Sequence, residues 1–339
     1  MPFYCTRKGT RLRAGTVGPH DDSRDRGRIA VLLATIHRPA DLARAVSSAL
    51  ASRHDAFEVV VIDQGSDGGA VQALGSVRDD PRVRYTRMAP LGLSAALNHG
   101  ASITEASILA ITGDDCTLHP DWLAALDEAF ADPRVAVVFG SVGSAPCDPE
   151  TGFVPGCRID APFTAHAITD LAALSGTTAC MAVRRDVWST LGGFDEALGV
   201  GASLCSAEDL DLALHALHER WLVLQTPAVH VVHHSPVRWS ERATVVRRNW
   251  YGSGAVMAKW LKLTGVPMMT GLTRLAGRWV SGGSGVAATY GRRPARGAML
   301  AGFVSGFLVG LAWPLDRRRR HFRRAPSRDP DSERSSRLQ

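Results

Sequence analysis

The sequence predicts an α/β domain built on a mainly parallel sheet flanked by helices. Three observations carry that expectation. Short, largely apolar runs recur along the chain, as in RIAVLLAT (28–35), FEVVVID (57–63) and ILAIT (108–112). Such runs suit strands buried on both faces. Between them lie stretches with helical spacing, such as Leu42, Val46 and Leu50 in 39–52. Polar clusters then follow the strands: Thr35 to Arg38, Asp63 to Ser66, and Asp114 with Asp115. In doubly wound sheets ligands sit beyond the carboxyl ends of the strands, so these clusters converge on one site.

The elements follow in order. A strand over 28–35 leads to a helix over 39–52, and a strand over 57–63 to a helix over 71–77. A short strand over 83–86 precedes a helix over 93–105, and 108–112 is the fourth strand. A helix over 121–130 and a strand over 135–139 complete the alternation. Residues 141–170 are rich in Gly, Pro and small side chains and read as a long loop beside the site. A strand over 177–183 follows, and 187–194 leads into a Gly-rich loop. A helix is expected over 207–220, a strand over 229–232 and a basic helix over 239–262.

Of 339 residues, 45% are hydrophobic and 21% charged, which places the chain among globular proteins. The net charge of +6 is uneven. Basic residues crowd both ends, including Arg7, Lys8, Arg11 and Arg13 and the run Arg317 to Arg320. Such ends favour anionic surfaces. No aromatic interleaving or nucleic-acid motif accompanies them, so nucleic acid is not an expected partner. Six cysteines form no CxxC pair, and no secretory leader pattern opens the chain. A reduced, cytoplasmic protein at the inner face of the cell membrane is the expectation.

Four regions are expected: a flexible basic arm (1–27), a catalytic domain (28–240), a helical extension (241–315) and a basic tail (316–339). Within the extension, 297–315 is almost wholly apolar, with Gly302, Gly306 and Gly310 at four-residue spacing and arginines on both flanks. Nineteen residues barely reach the ~20 needed to span a bilayer. The favoured reading is a helix lying on the cytoplasmic leaflet, or a shallow re-entrant anchor, ahead of a full span. A helix packed within the protein is the structural alternative, since small residues permit close helix contact.

Chemistry concentrates at Gly113, Asp114 and Asp115. Adjacent carboxylates leaving a buried strand are costly unless they meet a cation. A hard divalent ion such as Mg²⁺ or Mn²⁺ answers that need and can neutralise nucleotide phosphates. A solvated turn with a helix cap is the plainer alternative.

Taken together, ATIHRP, VVVIDQGSDGG, LGLSAALNHG, ITGDDC, GGFDEAL, SAEDLDLALHAL and VVHH resemble, in this order, glycosyltransferase family 2. The resemblance covers about residues 28–260. It implies a GT-A fold with a Rossmann-like sheet, a nucleoside-diphosphate sugar as donor, and a glycan, lipid-linked or small-molecule acceptor. Thr35, Arg38, Asp63, Asn98 and Asp114 match positions that contact the nucleotide. Asp115 matches the metal ligand of the family's D-x-D segment, with His233 as a further ligand and His234 behind it. Asp209 matches the catalytic base, with Glu208 orienting the acceptor, and Asp211 reads as structural.

The sequence departs from the family pattern at Ala34, His37, Gln64, Leu97 and Gly113. The implied reaction is a single displacement with inversion, in which a carboxylate strips the acceptor hydroxyl of its proton. A helix-dipole role for Glu208 and Asp209 and a turn cap for Asp63 are the structural alternatives. Two other functions compete. A degenerate, nucleotide-binding scaffold would share the fold without transfer. A sugar-1-phosphate nucleotidyltransferase would need a Gly-rich turn after the first strand, and ATIHRP has no glycine. The basic, apolar C-terminus favours a bacterial envelope glycan as product.

Overall fold

The computed structural model describes residues 29–280 and 295–323. The expected basic arm, Arg292, Arg293 and most of the tail lie outside the described residues.

Strand β1 (Ile29–Thr35) leads through α1 (Pro39–Leu50) to β2 (Phe57–Asp63). Proline opens α1 where its missing N–H costs nothing. The chain continues through α2 (Gly69–Leu74), β3 (Val83–Arg87), α3 (Leu93–Ser102) and β4 (Ile108–Gly113). These four strands lie parallel in the order β3-β2-β1-β4. Their carboxyl ends carry Thr35, Asp63 and Asp114 along one edge, as the alternation predicted.

Next come β5 (Cys116–Leu118), α4 (Trp122–Ala129) and β6 (Val135–Ser144). The expected long loop over 141–170 is partly ordered as sheet: β6 runs on to Ser144, and β7 (Gly152–Phe153) and β8 (Phe163–Ala165) interrupt it. Isolated pairs and short stretches like these carry no periodicity to read. The chain then forms β9 (Cys180–Arg184), α5 (Arg185–Leu191), α6 (Glu208–His218) and β10 (Leu222–His233). Strand β9 enters antiparallel between β4 and β6, and β10 follows on the far side of β6. Strand β10 is far longer than the four residues expected. It is bulged between Thr226 and His230, where Pro227 cannot donate to the ladder.

Alternate residues of β1 and β2 point to opposite faces and build two cores. Val31, Leu33, Val59 and Val61 pack with Leu42 and Val46 of α1 and with α4. Leu32, Val60 and Ile62 pack with α3, α5 and α6 on the other face. That second core extends to Val256, Met257 and Trp260, so the C-terminal helices are part of it.

A short strand β11 (Val237–Arg238) precedes α7 (Arg242–Thr264), α8 (Val266–Val280) and α9 (Arg296–Ala312). Strands β12 (Leu315–Asp316) and β13 (His321–Phe322) close the described chain. Helix α8 falls within the expected helical extension but was not singled out as an element; Pro267 and the glycines near it masked its pattern. Gly302, Gly306 and Gly310 of α9 lie on the backbone of Arg247, Tyr251 and Ala255 of α7, where a Cβ at any of the three would collide. One face of the apolar helix is thus packed inside the protein. No helix among the described residues is long and apolar enough to cross a membrane.

Candidate active site

Thr35 Oγ1 donates to Asp114 Oδ2 at 2.7 Å across the ends of β1 and β4. Arg38 reaches over from the turn after β1. Its guanidinium lies 2.6 Å from Asp115 Oδ2 and 3.3 Å from Asp114 Oδ1. Gly113 has a local reason: a Cβ there would come 2.6 Å from Asp115 Oδ1. The turn closes over the place that a first carboxylate would fill.

His233 comes to this carboxylate through sheet pairing. Strand β5 begins one residue after Asp115 and pairs antiparallel with the end of β10, setting His233 opposite Cys116. Its Nε2 lies 3.2 Å from Asp115 Oδ2, and its Nδ1 lies 2.9 Å from the Pro155 carbonyl. A carbonyl only accepts, so Nδ1 carries the proton there. In the neutral ring Nε2 then presents a lone pair to a carboxylate oxygen, which is repulsive unless a cation lies between or the ring is protonated. A histidine anchored through its other nitrogen to a carbonyl is the usual arrangement of a metal ligand. Ligands about 2.1 Å from an octahedral ion, on adjacent positions, lie about 3.0 Å apart, close to the separation seen. The donor set therefore fits a hard divalent ion that takes its remaining ligands from phosphate and water. No group of three or more His, Cys, Asp or Glu among the described residues forms a complete protein cage. His234 is turned away, with Nε2 2.9 Å from Thr117 Oγ1.

The electrostatics separate the two aspartates. Burial pushes the Asp114 carboxyl up to about 6, against the Thr35 hydrogen bond and the Arg38 charge. Burial would raise Asp115 as well, but His233 and Arg38 outweigh it and hold this carboxyl well below the usual range. His233 is raised by the same pairing, against its own burial.

Asp63 is buried and accepts a hydrogen bond at each oxygen. It accepts from the Gly65 N–H at 2.7 Å and from the Tyr85 hydroxyl at 2.6 Å, with Arg87 Nε 4.0 Å away. The turn-cap alternative is thus present. The Asn98 amide is committed to the Gly-rich loop: Nδ2 donates to the Phe194 carbonyl at 3.0 Å, and Oδ1 accepts from the Phe194 N–H at 2.9 Å. These bonds hold the Asn98 amide against the Gly-rich loop.

Glu208 and Asp209 open α6 after that loop. Gly193 and Gly199 hold φ of +73° and +94°, and a Cβ on Gly199 would lie 2.6 Å from Ser94 Oγ. Only glycine meets both demands cheaply. Thr178, which the sequence reading did not single out, clamps the pair. Its hydroxyl donates to Glu208 Oε1 at 2.6 Å and its N–H to Asp209 Oδ2 at 3.0 Å. Burial, with the Asp209 charge beside it, pushes Glu208 up to about 7. Asp209 is raised by burial, against the Leu210 and Thr178 N–H groups. Glu208 is buried and Asp209 partly exposed, and both line, with His233, a cavity of about 580 Å³.

Asp211 and Asp195 face away from this site. Lys259 of α7, wholly buried, lies 2.7 Å from a carboxylate oxygen of each. Trp260 Nε1 donates to Asp211 and the Phe322 N–H to Asp195. Arg320 pairs with Glu219, 2.7 Å away. The C-terminal helices and β13 are thus fastened to the loop and helix that carry Glu208 and Asp209. Sequence inspection missed Lys259, since a lysine in a basic helix reads as solvated.

Comparison with known proteins agrees with this fold. Residues 30–191 match the description "Glycosyl transferase family 2". The O-antigen biosynthesis protein RfbC of Myxococcus xanthus is 29% identical over 263 residues, covering 71% of this chain and 20% of that protein. An uncharacterized protein, y4gI, of Sinorhizobium fredii is 26% identical over 218 residues, covering 57% of this chain and 23% of its own. The chain therefore spans only about a fifth of the length of these relatives. Among solved structures, the mannosyltransferase PcManGT of Pyrobaculum calidifontis, in complex with GDP-Man and Mn²⁺, superposes with a TM-score of 0.57 at 18% identity, covering 85% of this chain and 87% of that one. Residues 1–349 of TarS from S. aureus superpose with a TM-score of 0.58 at 13% identity, covering 84% and 81%. The ordered motifs and these likenesses together give the chain a family 2 glycosyltransferase match over residues 30–191, on a fold similar to that of GT-A type glycosyltransferase structures.

Proposed function

We propose that this enzyme moves a sugar from a nucleoside-diphosphate sugar to an acceptor hydroxyl by one displacement with inversion. The observation that carries this reading is a shared cavity: Asp209 and His233 line the same space, with Asp115 3.2 Å from His233. Asp209 takes the acceptor proton as the acceptor oxygen bonds to the anomeric carbon. The bond from that carbon to the diphosphate oxygen breaks, and its electron pair leaves with the nucleoside diphosphate. Asp209 suits the base because burial raises its basicity while two N–H donors fix its orientation. Glu208, held by Thr178, orients the acceptor side. Arg38, Thr35 and Asp114 bind the nucleotide diphosphate and ribose, and Asp63 the base. Mg²⁺ or Mn²⁺ held by Asp115 and His233 would supply charge neutralisation for the departing diphosphate. Arg296 and Arg317 to Arg319, at the two ends of α9, favour work at an anionic membrane face.

Calorimetric binding of UDP, GDP and TDP, with and without Mn²⁺, tests the donor side. One nucleotide is expected to bind with metal dependence, and Asp115→Ala to abolish that dependence. Asp209→Asn is expected to keep nucleotide binding while transfer falls about 10²- to 10⁴-fold. A folded protein that binds a nucleotide but transfers no sugar to any acceptor is the scaffold instead. Undiminished transfer by Asp209→Asn removes it as base.

A further inference from the structure

The cavity that holds Asp209 has a second character. Beyond the carboxylates its wall is mostly apolar, with Leu171, Leu174, Val245, Trp250, Met257 and Phe303 outweighing the polar Asn249 and Ser253 of α7. These come from three separate elements: the turn before β9, one face of α7, and α9. A sugar donor with its diphosphate has no use for such a wall, because burying hydroxyls or phosphates against it would cost their hydration.

Helix α9 relates this wall to the outside. Its glycine row is locked on α7 by backbone contact, so the helix cannot turn about its axis. At 3.6 residues per turn, Phe303 and Phe307 lie about 80° round from the glycines. Leu300, Val304, Leu308 and Leu311 lie about 75° further in the same sense. Those four are 58%, 47%, 61% and 41% exposed. Apolar surface therefore runs unbroken round the helix, from the cavity wall to an open face with arginines at both ends. An exposed stripe of this kind marks a contact with apolar matter. With 17 residues α9 is too short to span a bilayer but suited to lie in its surface.

We infer that the acceptor is an amphiphile presented at a lipid surface: its hydroxyl-bearing head meets Asp209, and its hydrocarbon occupies the cleft between α7, α9 and residues 171–174. This inference rests on the transferase reading above and adds the acceptor class.

The test is equilibrium binding of n-butyl, geranyl and farnesyl phosphate to the full chain, with the phosphate held constant and only the hydrocarbon growing. Affinity is expected to rise at least about a hundredfold across the series, since each buried methylene adds several-fold. Leu174→Gln and Trp250→Ala, on partly exposed positions, should each remove about tenfold or more of the farnesyl affinity. Binding that is flat with chain length in the wild-type protein overturns the inference, and that result needs no variant to fold. Equal affinity for 2-naphthyl phosphate would assign the cleft to a compact soluble aglycone and overturn the lipid source. Co-sedimentation with phosphatidylglycerol vesicles is expected for the wild type and lost in Leu300→Gln/Leu308→Gln; no sedimentation of the wild type overturns the surface location. Metal-dependent nucleotide binding, measured separately, shows whether a failure belongs to this inference or to the transferase reading.

Discussion

Replacing Lys259 by methionine removes a fully buried ammonium of nearly the same volume. In the native protein that ammonium lies 2.7 Å from both Asp195 Oδ2 and Asp211 Oδ2, with the Phe322 ring 5.1 Å away. Both carboxylates are buried, so neither can turn to water when the cation goes. Breaking a buried pair by removing one partner costs about 3–5 kcal/mol, because the remaining charge is uncompensated. Two charges are orphaned here, which places Lys259→Met at the upper end. For a chain of this length each kcal/mol corresponds to about 2 °C, so the midpoint should fall by roughly 6–10 °C. The loss should also depend on pH. Burial already raises Asp211, against the pull of Lys259. Without the lysine its folded-state pKa climbs further above the unfolded value of about 3.9. The folded variant then holds a proton that the unfolded chain has released, so its stability falls as pH rises through the raised value. The gap between wild type and variant should widen from acid to neutral pH, and Lys259→Met/Asp211→Asn should recover part of it. Urea and thermal unfolding followed by circular dichroism provide the assay. A loss below about 1 kcal/mol, or a gap constant with pH, would refute the reasoning.

Two further predictions concern the helices and the carboxylate pair. Gly306→Leu places a side chain against the Tyr251 carbonyl, so α9 should part from α7 at a cost of about 1–3 kcal/mol or more, and limited proteolysis should then cut before β12. Leu308→Ala on the open face should leave the cleavage pattern unchanged. Glu208, pushed up to about 7 in the folded protein, should make the wild type lose stability as pH rises from about 4.3 to 7. Glu208→Gln should flatten that part of the profile, and parallel urea midpoints for the two proteins would contradict the assignment.

Much of the candidate site was legible because its residues close strands or open a helix. Thr35, Asp63 and Asp114 each follow an apolar run, and a parallel sheet brings such ends to one edge whatever the loops do. Glu208 and Asp209 were marked by a Gly-rich stretch before a clear helical period. His233 was nominated by its place after a strand, but its contact with Asp115 depends on the pairing of β5 with β10, between residues more than a hundred positions apart. Thr178 gave no signal, since its role comes from a backbone N–H and a hydroxyl meeting two carboxylates across the fold. Asn98 shows the opposite case: its place in a motif named it a nucleotide contact, and its hydrogen bonds tie it to the Gly-rich loop.

The sequence by itself determined the layered α/β architecture, because continuous apolar runs alternating with helical periods can bury their surface in few other ways. It also determined which strand ends carry carboxylates. Only the tertiary structure decided where the apolar helix over 296–312 goes. Composition allows a membrane span, a surface helix or a packed one, since each buries the same side chains. The glycine row seated on the α7 backbone selects the packed face and leaves the leucine stripe open, a choice made by backbone contact that no periodicity encodes.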